Sequence, residues 1–234
     1  MDLFIHFQWM HFCIALGAVL ALSYIMSLQS RNFYTDHIVV RKFSILDLEF
    51  PASPRELVNY IKGIFLLPAD LSAKTLKNLR GQLFVDFLFM VAAYGSVFIL
   101  CMKVAGKMTD FGFWVFMALA WMQIIPLICD VIENIYLLGK LKPEPPLSTQ
   151  RAHNAYLKLE ICKWGIPLTG VVCCIAAIAY FWLTGNYTYN SIEYFVLIVA
   201  EVALFFILKK ATAKNDNEKL DAFRSLTSPG PSDI

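Results

Sequence analysis

The segment Ile125-Pro126-Leu127-Ile128-Cys129-Asp130-Val131-Ile132-Glu133-Asn134 sets two carboxylates and an amide in a stretch otherwise apolar enough to span a bilayer. On a helix, Asp130, Glu133 and Asn134 stand three and four residues apart and point off one face, one turn past an expected kink at Pro126. That face cannot look at lipid, because ionisable groups in hydrocarbon are expensive. Carboxylates crowded together away from water cannot all stay ionised, so such a group suits a proton relay or a cation site. Asp86 and Glu201 fall at a similar depth on other apolar segments, and the candidate ion- or proton-binding residues are therefore Asp86, Asp130, Glu133, Asn134 and Glu201. The plainer reading of the same residues is structural. Asp130, Glu133 and Asn134 would hydrogen-bond to neighbouring helices, at ~0.6 and up to ~1.7 kcal/mol per bond, and Asp86 would pair with Arg80, Lys158 or Lys163. Depth follows from the spans; lateral facing does not.

The elements that position these groups are membrane spans. With 58% hydrophobic and 16% charged residues over 234 positions, the chain is too apolar for an ordinary soluble domain. Five stretches, about 4–28, 83–105, 111–138, 164–184 and 192–208, are long enough to cross ~30 Å of hydrocarbon at ~1.5 Å per residue. The last is the shortest and carries Glu193 and Glu201, so a re-entrant segment is its alternative. Eighteen of the 20 Lys and Arg lie in 29–80, 139–163 and 209–234, against Lys103 and Lys107 elsewhere. The positive-inside rule then puts the N-terminus outside and the C-terminus in the cytoplasm, which requires an odd number of spans. The expected fold is all-α: a five-transmembrane-helix bundle over residues 1–211, with an amphipathic helix in the first cytoplasmic loop, 29–82.

Within that loop, Leu46-Asp47-Leu48-Glu49-Phe50 alternates as a short strand would. Ser53-Pro54-Arg55-Glu56 reads as a capping box with proline at the first helical position. Leu57, Ile61 and Phe65 continue it as a helix ending before Pro68, whose apolar side either lies on the membrane surface or packs under the bundle. Another helix starts at Asp70 and carries Lys74, Lys77 and Arg80 into the second span as candidate lipid-headgroup contacts. Residues 212–234 are polar, end in Ser228-Pro229-Gly230-Pro231-Ser232, and are expected to fray. Small residues four apart, Gly17 with Ala21, Ala92 with Ser96 and Gly170 with Cys174, permit close helix approach.

Ile45-Leu46-Asp47-Leu48-Glu49-Phe50, then Val85-Asp86-Phe87-Leu88-Phe89 with Tyr94, then Asp130-x-x-Glu133-Asn134 together resemble a family of uncharacterised bacterial integral membrane proteins. The resemblance covers roughly residues 45–140. It implies a multi-pass protein of the bacterial inner membrane and carries no catalytic role.

No His-Glu-x-x-His, Gly-x-Ser-x-Gly, Cys-x-x-Cys or glycine-rich phosphate loop is present, and the balance falls against an enzyme. His6, His11, His37 and His153 are scattered, so no metal ligands and no cofactor are assigned. The six cysteines read as free thiols, nearly all in apolar segments. A net charge of +2 gives no reason to expect nucleic acid. The expected partners are the lipid bilayer and other membrane subunits or a second copy. Two functions are compatible with this sequence: a structural or accessory subunit of a membrane complex, or a small transporter or ion-binding protein working through the carboxylates.

Overall fold

The structure, a computed structural model, describes residues 8–36, 40–187 and 190–227, with side chains at 40, 190 and 213–227 left aside. Among the described residues, five helices are long and apolar enough to cross a membrane: Trp9–Ser30, Ala69–Ala105, Asp110–Lys140, Gln150–Leu183 and the Ser191–Thr212 part of the last helix. In chain order the elements are α1 (Trp9–Ser30), β1 (Tyr34–Asp36), β2 (Val40–Lys42), α2 (Ile45–Glu49), α3 (Pro54–Leu66), α4 (Ala69–Ala105), α5 (Asp110–Met122), α6 (Ile124–Lys140), α7 (Gln150–Leu183) and α8 (Asn190–Thr227).

Helix α4 is the mast. Helices α1, α5, α6 and α7 all pack against it, and α8 is held through α1. Near one end its core with α5 and α7 contains Leu100, Cys101, Phe116, Ala120, Cys174 and Phe181. The small residues do what their spacing suggests: a Cβ on Gly170 of α7 would come within 3.0 Å of Val97 on α4. Cys174 Sγ and Cys101 Sγ meet at 3.5 Å, and every cysteine is free.

Toward the other end, the α1–α4 connection folds into a small cap with its own core of Phe33, Phe43, Leu48, Ile61, Ile64 and Leu79, among others. β1 and β2 form an antiparallel hairpin with Thr35 opposite Arg41. Thr35 Oγ1 donates to Tyr60 O at 3.0 Å, tying the hairpin to α3. Gly63 is required for that approach, since a Cβ there would meet Thr35 Oγ1 and lie 2.8 Å from Asp36 O. Helix α3 begins as its residues dictate, with Glu56 N donating to Ser53 Oγ at 3.2 Å and Pro54 in the first turn. The Glu56 carboxylate turns back one residue further, accepting from Ala52 N at 2.6 Å. Leu57, Val58, Ile61 and Ile64 are buried in contact with the hairpin and α4, while Arg55, Asn59 and Lys62 are exposed, so α3 packs under the bundle.

Two sequence expectations are corrected here and a third is located. Leu46–Phe50 is not extended: α2 is helical, because Ser44 N and Oγ both donate to Asp47 Oδ2, at 2.7 and 3.1 Å, closing a capping box that alternation alone does not reveal. The third span does break at its proline, the interruption falling at Gln123 in the turn before Pro126. A proline has no amide hydrogen to give the carbonyl four residues earlier, so Pro126 opens the turn at Met122. Finally, α8 continues to Thr227 where fraying was expected from 212; 213–227 lack proline and are rich in helix-favouring Ala, Lys, Glu and Leu. Residues 228–234, with the Ser-Pro-Gly-Pro-Ser run, lie outside the described residues, as do His6 and His37.

Candidate functional site

The site is built where the cap meets the bundle. Helix α6 presents Asp130, Glu133 and Asn134 inward, all three buried, as their spacing requires. Helix α4 brings Asp86, whose Oδ2 accepts from Asn134 Nδ2 at 2.7 Å, and Tyr94, whose hydroxyl donates to Asp130 Oδ2 at 2.8 Å. Helix α7 adds Glu160 and Lys163, three residues apart and therefore on one face. Helix α2 adds Glu49, held in place because Tyr156 OH of α7 donates to the neighbouring Leu48 O at 3.2 Å.

Lys163 Nζ is the hub. It lies 3.2 Å from Asp130 Oδ1, 3.4 Å from Glu49 Oε1 and 3.6 Å from Glu160 Oε2, and it donates to Glu133 Oε2. All five of these side chains are at least nine-tenths buried. Four carboxylates therefore converge on one ammonium, with Asp86 joined through Asn134. One ammonium balances one carboxylate, and carboxylates left ionised without compensation in a low-dielectric site cost many kcal/mol. The surplus must be met by protons or by a bound cation. One oxygen from each of Glu49, Glu133 and Glu160 can lie within 4.8 Å of the others, close enough to share an ion. Carboxylate oxygens favour hard cations such as Ca²⁺, Mg²⁺ or Mn²⁺. Glu49 Oε2 is buried without a hydrogen-bond partner.

A cavity of about 400 Å³ reaches this cluster, with Glu49, Asp86, Asp130, Tyr94 and Lys163 in its wall. Pro167, also in the wall, lies inside α7 one turn after Lys163. It removes the amide hydrogen that would close the helical turn on the Lys163 carbonyl.

Of the sequence candidates, Asp86, Asp130, Glu133 and Asn134 are brought together. Glu201 is not. It sits on α8 against α1, its Oε1 3.5 Å from where a Gly17 Cβ would stand, and it lines a separate groove with Tyr24 and Leu204. Equal depth on the fifth span placed it with the others, but α8 packs mainly on α1. Lys163 was expected as a partner of Asp86 and instead serves Glu49, Asp130, Glu133 and Glu160. Glu49 and Glu160 escaped notice as site residues. Both sit outside the apolar stretches; the Glu160-x-x-Lys163 spacing was the available signal for one of them. Lys74, Lys77 and Arg80 are exposed along the cap end of α4.

Comparison with known protein families, characterised proteins and solved structures finds no match for this chain.

Proposed function

We propose that the protein is a multi-pass membrane protein that binds a cation, exchanging it with protons, at the Glu49/Asp130/Glu133/Glu160/Lys163 cluster, and that it acts as a small transporter or ion-binding protein. The observation that carries this reading is the convergence of four buried carboxylates on the single Lys163 ammonium. A bundle stabilised by polar contacts alone needs one acid for one lysine; four make a site that gains by filling. An N-terminus outside and a cap and C-terminus in the cytoplasm accord with the basic-residue distribution, and a bacterial inner membrane with the resemblance over residues 45–140. The test is flux in proteoliposomes under an imposed cation or proton gradient. Asp130→Asn and Glu133→Gln should abolish flux while the proteins still elute as folded monodisperse species. Flux unchanged in both variants sinks the reading.

A second reading, a structural or accessory subunit, draws on α1 and α8, whose apolar windows are only 6% buried against 22–33% in the other spans. Recovery of a stoichiometric membrane partner in mild detergent would favour it.

A further inference from the structure

The cavity that ends on the acid cluster is not an aqueous vestibule. Besides its polar end, its walls are Met26 of α1, Ile45 of α2, Phe89 and Ala93 of α4, and Leu168 and Val171 of α7. Leu46, Trp164 and Leu168 line it and are also 50%, 52% and 63% exposed on the flank of the molecule. Trp164 and Leu168 lie on a helix apolar enough to span, so the mouth opens sideways toward hydrocarbon. A second cavity of about 430 Å³ begins where this one stops, sharing Val97 and Val171 as common wall and continuing past Leu100 and Ile178 to Trp9 and Trp182. Together they trace a groove along α4, bounded by α1 and α7 and, in the second cavity, also by α8, from Asp86 to Leu100. At 1.5 Å per residue that is about 21 Å, the length of a long alkyl chain.

We infer that this groove is the binding site for a single-chain amphiphile with a cationic, amine-type head, the head lying among Glu49, Asp86 and Asp130 and the chain running from there along α4 past Phe89, Ala93 and Val97 to Leu100. The inference rests on the cation-binding reading and names the substrate class. Charge complementarity selects the head: three carboxylate residues line the cavity against one lysine, and Glu49, nine-tenths buried, pairs with Lys163 through Oε1 while its buried Oε2 lacks a hydrogen-bond partner. An anionic head would add to the surplus; an ammonium supplies donors and charge together. The lateral mouth and apolar walls select the tail, because burying each methylene contributes ~0.8 kcal/mol only against apolar surface.

Retention of tritiated hexadecylamine by protein-loaded lipid nanodiscs, measured above empty discs, tests this. Unlabelled hexadecylamine should compete about tenfold or more better than hexadecanol, which has the same tail and no charge. Glu49→Gln and Ala93→Phe, attacking head and tail sites, should each lower retention by about tenfold. Retention no higher than in empty discs, or equal competition by hexadecanol, overturns the inference, and both results come from the unmodified protein and so do not depend on a variant folding. Titration of the same protein with CaCl₂ separates the two levels. Calcium binding at the cluster without amine selectivity overturns the amphiphile while leaving the cation site; absence of both removes the two together.

Discussion

Tyr94 and Asp130, 36 residues apart in sequence and on different helices, are joined by a 2.8 Å hydrogen bond from the phenol to Oδ2, while the other oxygen of Asp130 faces Lys163 at 3.2 Å. Asp130 is thereby fixed from two sides, by α4 and by α7. Tyr94→Phe removes one of them without opening a cavity. It should cost about 0.6–1.7 kcal/mol, the range for a hydrogen bond in a membrane bundle. Thermal unfolding in nanodiscs reads the loss, and an unchanged midpoint would show that the contact holds nothing.

Lys163 is the group whose removal should be felt most. Lys163→Met leaves four buried carboxylates facing one another, at about 3–5 kcal/mol. Because the cost arises from the acids, adding Glu133→Gln in the same chain should recover part of it. A double-mutant cycle by chemical denaturation, in which the double variant is more stable than the sum of the singles predicts, is the expected result. Strict additivity would mean that Lys163 and Glu133 do not act as one unit.

Gly63 should tolerate no side chain. Gly63→Ala drives a methyl into Thr35 Oγ1 and toward Asp36 O, and the hairpin must shift, at about 1–3 kcal/mol. Hydrogen exchange should show faster exchange at the described hairpin amides, Tyr34–Asp36, with the spans unaffected.

The proposed orientation predicts that a reporter fused after Ile234 is active in the cytoplasm, as is one replacing residues after Lys142. A reporter active only outside the cytoplasm at either position would reverse the proposed topology.

The helices and their order were legible because apolar length and proline positions act locally. Asp130, Glu133 and Asn134 could be assigned to one face because helical spacing alone decides it. What depends on which helices touch was not legible. Glu201 has the right depth but belongs to α8, whose main packing partner is α1, and it lines a separate groove there. Glu49 lies in a five-residue helix whose existence depends on Ser44 and Asp47 capping each other, and it enters the cluster because Tyr156, more than 100 residues later, holds Leu48 O. Glu160 precedes its apolar stretch and looks like an ordinary solvated acid until α7 is seen to start well before the apolar run, at Gln150.

The central claim is that the carboxylate–lysine cluster exchanges protons for a cation. Proton release on adding CaCl₂ to the purified protein in nanodiscs, read with a pH dye in weak buffer, addresses it directly. The predicted result is saturable release that Glu133→Gln abolishes or reduces by about tenfold and that Glu201→Gln, in a separate groove between α1 and α8, leaves intact. No release from the unmodified protein, or release that Glu133→Gln leaves unchanged, would contradict it.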